Sequence, residues 1–544
     1  MKKILAIMLA LTIVMGLCAC GGGSSSGGGK DGDKVTLSIG IPADAMVLDV
    51  ETNALTKWVE EQTGYDLEFT VYPGGTDIAT QITSTVFANQ ELPDILIGIP
   101  LDDETIYQFG RDKYFVDLTE YFEDKDGASK TFWDRMTTEL SEADQDYIIE
   151  KMTSNDDGRI YTIPSVETSL VDSMYYQTWI NTEWLDALGM SKPTNTDELY
   201  AFLKAVQEKD MNGNGDTEDE IPLLGSQKSV WGCRVLDWLL NLYTYYHTQH
   251  KWQPDADGKM VNVMTTDAYR EGMKFIRKLY SEGLLSNMVY TTGDKDLKLM
   301  TTPSSGVATC GIFVGHLSVH VIPENELLYQ YEPLQTWGYC AEKDTSVNTQ
   351  AFITDWCENP EAAFEVMMLL WSKDGAMRQR YGEYNVDWSD ADEGTVSLLG
   401  LPAEYKLHRD ILMEQSSSNW GAMCTLNVYA EGETAQTPDD ATEWTKVKSQ
   451  MHAESRKLWD EQAARKNPEN ICPILSHTTE EADATESVRT NINNYLSEAE
   501  KNWVIGAEGY DINSDADWNA YLKKINDFGY DTYQKYVQDA YDRQ

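Results

Sequence analysis

Basic residues are scarce in this 544-residue chain: 43 Lys and Arg stand against 90 Asp and Glu, a formal net charge of −47. A field of that sign repels polyphosphates and anionic lipid, so nucleic acid is excluded as a partner and a membrane surface is excluded except through a covalent anchor. Cysteine is sparse as well. Beyond residue 20 there are only Cys233, Cys310, Cys340, Cys357, Cys424 and Cys472, without a CxxC or metal-type spacing, and the seven His residues do not cluster with them. Zinc and haem centres are therefore not expected, and buried free thiols are as good a reading as disulfides. No apolar run after residue 20 is long enough to cross a bilayer. The common catalytic signatures are missing too: no G-x-S-x-G, no H-E-x-x-H and no P-loop. No enzymatic activity and no catalytic cofactor are expected.

What is present begins at the N-terminus. Lys2 and Lys3 precede an apolar run from Ile4 to Leu17, then Leu17-Cys18-Ala19-Cys20. Charge followed by a short apolar stretch is the order of an export signal. A small residue directly before a cysteine resembles a bacterial lipoprotein signal, which implies removal of residues 1–19 and lipidation (palmitate) of Cys20 as the first mature residue. Gly21–Gly29 is Gly and Ser only, so residues 20–33 read as a flexible tether. The expected location is the outer face of a bacterial cell membrane. The chain is also rich in rings, with 16 Trp, 30 Tyr and 12 Phe. In an exported protein that surplus suits stacking on sugar rings, and the negative field favours neutral glycans over highly anionic ones.

Val35, Leu37, Ile39 and Ile41 alternate as a strand does, and Asn53–Thr63 reads as a helix closed by Gly64. Leu67, Phe69 and Val71 alternate again, Ile78, Ile82 and Val86 have helical spacing, and Asp94–Gly98 is a short buried strand. Strand-helix-strand-helix-strand predicts parallel pairing, hence an α/β lobe with ligand loops beyond the carboxyl ends of its strands, at Tyr72–Asp77 and Gly98–Asp103. A second α/β region follows Gly158–Pro164. Asn195 and Glu198 predict the start of a helix over Thr196–Lys209, Asn359-Pro360 starts another, and Asp517–Asp542 is aromatic-rich with helical period. Trp179, Trp184 and Trp238 sit in helical periods and read as core.

Ordered segments carry a family likeness: Leu92-Pro93-Asp94-Ile95; Gly158–Pro164; Trp179–Leu185 (WINTEWL) with Leu188-Gly189; Lys192–Leu199 (KPTNTDEL); Asp210–Pro222; Gly306–Gly315 (GVATCGIFVG); Asn359–Ala363 (NPEAA); Tyr381–Trp388 (YGEYNVDW); and Asp517–Tyr521 (DWNAY). In these the chain resembles the extracellular solute-binding protein family 1, within its long lipoprotein subgroup that includes alginate-oligosaccharide binders. The resemblance implies an α/β, two-lobe periplasmic-binding-protein-like fold of type II, its lobes joined by a hinge, with extra C-terminal helices. It implies a monomer that closes on an oligosaccharide and delivers it to the transmembrane permease subunits of an ABC importer. The crossing pattern implies lobe one from 34–164 and 338–380, and lobe two from 165–337 and 381–544. An exported glycan-active enzyme and a non-importing glycan-binding surface protein stay open as alternatives.

Oxygen side chains alternate at Asp210, Asn212, Asn214 and Asp216, with Gly215 at a turn, which suits a hard cation such as calcium in a structural role. Position twelve is Ile221, so this is not a full EF-hand. The resemblance implies closure by Asp219 and Glu220, and leaves open whether Glu218 is a ligand. For the saccharide, Tyr384 and Trp388 on one loop, Trp231 between loop residues, and Trp337, Tyr175 and Tyr176 at the crossings are candidate platforms. Asp94 and Asp172 are candidate partners for hydroxyls, although an aspartate at a strand end also caps turns.

Overall fold

A computed structural model describes residues 34–543, apart from short stretches at 74–77, 155, 170, 172, 229–232, 248–250, 324, 335–336, 343–344, 398, 410–414, 429–433, 439–440, 473–474 and 476. The lipidation candidate Cys20, the platform candidate Trp231 and Asp172 lie outside the described residues.

The alternating N-terminal stretch forms β1 (Thr36–Pro42), the next forms β2 (Asp66–Tyr72), and the short apolar run forms β3 (Ile95–Ile97). All three run parallel, with Ile39 opposite both Phe69 and Ile95. The helix between β1 and β2 starts at the Asn53 cap, whose side chain accepts the Thr56 N–H, and stops at Gly64, whose φ of 76° is left-handed. Its sequence had marked both ends. β4 (Ile163–Glu167), β11 (Ser346–Ile353) and β14 (Leu426–Asn427) complete a six-stranded sheet in the order β14-β4-β11-β3-β1-β2. A second sheet joins β5 (Thr178–Asn181), β6 (Ile221–Leu224), β9 (Cys310–Val314) and β10 (Tyr331–Pro333) in the order β10-β5-β9-β6. Two small hairpins pair β7 (Trp252–Pro254) with β8 (Met260–Asn262) and β12 (Trp388–Asp390) with β13 (Tyr405–Leu407).

Each large sheet has its own core. The first gathers Leu37, Ile39, Ile97, Phe364 and Trp371; the second gathers Trp184, Phe202, Leu223, Trp238 and Ile312, with Trp503, Trp518 and Tyr521 from the C-terminal helices. Trp179 and Trp238 are fully buried and Trp184 nearly so; Trp184 and Trp238 lie in helices as their periods predicted, whereas Trp179 stands in β5 rather than in a helix. The chain crosses between sheets from β4 to β5, from β10 to β11 and once more after β14, and the first two crossings pair at Met174 and Glu342. Helix Glu443–Lys466 lies along both: Arg456 donates to Ser173 Oγ (2.6 Å) and pairs with Glu342 (2.8 Å), and Gln462 donates to the Gly338 carbonyl.

The range 381–544 expected in lobe two is divided. Trp420, Cys424 and Leu426 belong to the first core, and Leu426–Asn427 pairs in parallel with β4. The Trp420 indole donates to Thr56 Oγ1, and Gly98 (φ 76°) lets Ala422 lie against the end of β3, where an added Cβ would sit 3.2 Å from that residue's own. The C-terminal helices Thr479–Ile505, Asp515–Asp527 and Tyr530–Asp542 do pack on the second core. No helix among the described residues is long and apolar enough to cross a membrane.

Candidate functional site

In open α/β sheets, ligands sit beyond the carboxyl ends of strands. At that end of β6 the chain continues through Gln227 to Arg234, which opens the short apolar helix Val235–Asn241. Asp237 is the one charged side chain in that helix and is fully buried. It pairs with Arg234 Nε at 3.1 Å. Burial pushes the Asp237 carboxyl up to about 6, against the opposing pull of Arg234. Lys251, Tyr246 and Glu500 close in from the following loop and from the long helix Thr479–Ile505. The Tyr246 hydroxyl donates to Glu500 Oε2 (3.0 Å), and desolvation lowers the Lys251 pKa. Asn241 holds the turn: its amide donates to the carbonyls of Asp237 and Tyr246 while its oxygen accepts the Tyr246 N–H.

The crossings run against this cluster. Tyr175 is half-buried, its ring 4.5 Å from that of His247 and its phenol near enough to Arg234 to affect the guanidinium. Trp337 is half-buried against the second core, and Tyr339 donates its N–H to the Asn241 carbonyl. Tyr176 is buried instead, its hydroxyl spent on the Tyr339 carbonyl at 2.5 Å, so it braces the crossings rather than offering a face. Sequence reasoning missed Arg234, Asp237, Tyr246, Lys251 and Glu500. One signal was there: an aspartate inside Val235-Leu236-Asp237-Trp238-Leu239-Leu240 breaks an otherwise apolar face.

Tyr384 and Trp388 lie elsewhere. They line a groove of about 430 Å³ between helix Lys373–Tyr381 and the β12–β13 hairpin, formed by residues 373–405 alone. Their rings meet edge to face at 4.8 Å. Trp388 is 6% exposed and donates its indole N–H to the Gly382 carbonyl; Tyr384 donates to Asp390. The structure thus does not bring this pair together with Tyr175 and Trp337. Asp94 corrects a further expectation. Its carboxylate accepts the Ser38 N–H and O–H, both at 2.6 Å, and it sits at the amino end of β3, opposite the ligand end of the sheet.

The loop Asp210–Glu220 folds back on its own oxygens. Asp210 accepts the N–H groups of Gly213, Asn214 and Gly215; Asn212 and Asn214 reach Asp219 through their amides; and Glu220 Oε1 accepts from Met211 and Asn212. Glu220 Oε2 is buried without a hydrogen-bond partner among the described residues, and desolvation raises the pKa of this carboxyl. No three of the loop's carboxylates lie within 4.8 Å of one another, so a cation would need the amides between them. Glu218 contributes its backbone N–H to Asp216, and its side chain is exposed.

Cys233, Asp294 and His320 also bring a sulfur, a carboxylate and an imidazole within 4.8 Å. His320 Nδ1 accepts the His316 N–H, and Nε2 faces Asp294 at 3.0 Å. With Nδ1 an acceptor, the neutral ring carries its proton on Nε2 and donates to Asp294, so neither nitrogen has a lone pair to give a metal. This group is a hydrogen-bonded clamp.

No family model matches the chain. Among curated proteins it is similar to the fructooligosaccharide ABC transporter substrate-binding protein FusA of Streptococcus pneumoniae, 25% identical over 415 residues that cover 71% of this chain and 70% of that one. FusA in complex with kestose has the same fold, with a TM-score of 0.68 at 19% identity over 93% of this chain and 99% of that one, and it has also been solved as an EF-hand mutant. A solute-binding protein from Bifidobacterium longum infantis described as binding HMO matches with a TM-score of 0.70, 19% identity and coverage of 94% and 99%. Alginate-binding AlgQ2 without calcium matches with a TM-score of 0.59, 20% identity and coverage of 94% and 98%. These relatives are substrate-binding proteins rather than enzymes, and the folds are those of two-lobe binding proteins. In agreement with the family 1 likeness of its motifs, the chain is a homologue of the substrate-binding proteins of ABC transporters.

Proposed function

We propose that this chain is the extracellular receptor of an ABC importer, tethered through lipidated Cys20, which captures an oligosaccharide between its lobes and presents it to the permease subunits. Lobe one takes residues 34–167 and 346–437 and lobe two residues 178–333 and 442–543, with 168–177, 334–345 and 438–441 as the hinge. The observation that carries the reading is the pairing of the first two crossings beside a sheet end that offers an aromatic face at Tyr175 and Trp337 and a charged cluster behind it. Rings receive the apolar faces of a sugar while polar groups meet its hydroxyls. A ligand touching both lobes binds the closed form better than the open one, and that difference in affinity drives closure.

The Asp210–Glu220 loop fits calcium. Oxygens of Asp210, Asn212, Asn214, Asp216, Asp219 and Glu220 would hold it, and the buried, unpartnered Glu220 Oε2 would gain a charge to face. Its role is to pin the turn between helix Thr196–Gln207 and β6, far from any chemistry on the ligand. Small-angle scattering with and without a bound oligosaccharide tests the function: compaction at saturation is expected, and unchanged dimensions would sink it.

A further inference from the structure

We infer that Arg234, Asp237, Lys251 and Glu500 are the specificity floor of the ligand site, and that they select an uncharged sugar residue over a uronate. The inference deepens the importer reading and rests on it. Buried charges cost free energy, and a network kept for structure alone would be closed. This one has a closed back and an open front. At the back, Asp237 is fully buried against Arg234, whose side chain is 17% exposed; at the front, Lys251 and Glu500 are half-buried.

Hydrogen-bonding capacity is left over. Asp237 Oδ1 and the Tyr290 hydroxyl are buried with no well-formed hydrogen bond among the described residues, the Gln227 side chain lying beside Asp237. Lys251 has charged neighbours in Glu500, Asp237 and Arg234 but no ion pair within 4.0 Å among those residues. The groups that keep surface for a ligand are the half-buried pair, an ammonium that donates at Lys251 and a carboxylate that accepts at Glu500. A sugar hydroxyl both donates and accepts, so it satisfies such a set. Two cations and two anions also leave the floor electrically neutral. A uronate carboxylate would be drawn to Lys251 only by approaching Asp237 and Glu500, and Arg234 is already engaged. The cluster stands beyond the carboxyl end of β6 and against Tyr175 of the crossing, the position where the importer reading puts its ligand.

Calorimetry on the intact mature protein tests this, using neutral fructan, glucan, xylan and mannan oligosaccharides beside trigalacturonate and mannuronate oligomers. At least one neutral oligosaccharide should bind at least about tenfold more tightly than either uronate. Glu500→Gln and Lys251→Met should each weaken that neutral ligand about tenfold or more, and Tyr290→Phe, which loses one hydroxyl, severalfold. Melting curves establish that the variants fold, and Tyr290→Phe remains informative if a charge variant does not. A uronate that binds more tightly than every neutral sugar overturns the inference while leaving the importer reading intact. So does neutral binding unchanged in all folded variants. Failure of every saccharide to bind overturns the importer reading and this inference with it.

Discussion

Asp237 is costly because it is an acid without exposed surface. Its carboxyl lies at about 6 in the folded protein against an ordinary value of 3.8, with desolvation opposed by Arg234, and Glu500 and Lys251 facing it. Between those values the folded state binds more protons than the unfolded one, so this group's contribution to stability falls as pH rises from about 4 to 6, then stays low. The ceiling on that loss is about 3 kcal/mol. Asp237→Asn removes the titration and leaves a constant cost from Arg234. Its melting temperature relative to the parent should therefore climb across that pH interval, and a pH-independent difference would contradict the assignment. Gly110 raises a steric question of the same size. A Cβ there would lie 2.4 Å from the ring of buried Tyr161, so Gly110→Ala should cost about 1–3 kcal/mol and lower the melting temperature by several degrees. At this scale the sequence was partly readable. Trp184 and Trp238 followed from their helical spacing, but Asp94 read as a ligand group because no pattern in the chain announces Ser38, 56 positions away, as its partner.

Elements with strong local signals were the readable ones. Asn53 and Asn195 cap their helices through side-chain oxygens, at the starts their sequences suggest; Asn181 caps another. β14 was invisible: two residues have no period, and their place beside β4 depends on a contact 260 positions away. That omission separated the stretch through Leu426 from the sheet and core it joins. Platform residues were read as a single set for a related reason, since spacing finds exposed aromatics but not which surface each joins. Two predictions belong here. If the Asp210–Glu220 loop holds calcium, saturating the ion should raise stability by about 2–3 kcal/mol over chelated protein. Asp210→Ala should abolish the difference, and equal melting curves for the parent with and without chelator would refute the site. Helix Glu443–Lys466 braces the first two crossings through Arg456. In Arg456→Ala, amide exchange should rise in 168–177 and 338–342 and stay unchanged in β1–β3; uniform exchange across the protein would contradict a local brace.

At the scale of the whole molecule, the net charge of −47 works against compactness. Raising sodium chloride from about 20 to about 300 mM screens that repulsion, so the melting temperature should increase with salt. A flat response would mean that the surface carboxylates are already neutralised by local pairing. The two-lobe plan was legible because alternating strand and helix segments, broken by crossings, have few other solutions.

None of the six described cysteines is in a disulfide, and all are buried. Desolvation pushes Cys310 and Cys357 up to about 12, and Cys340 and Cys424 higher still. Because only the thiolate is nucleophilic, an alkylating reagent finds almost nothing to attack while the protein stays folded. Each label taken up thus records a molecule that has opened, and the cysteines, spread through both cores, act as stopwatches that time the breaching of each lobe separately.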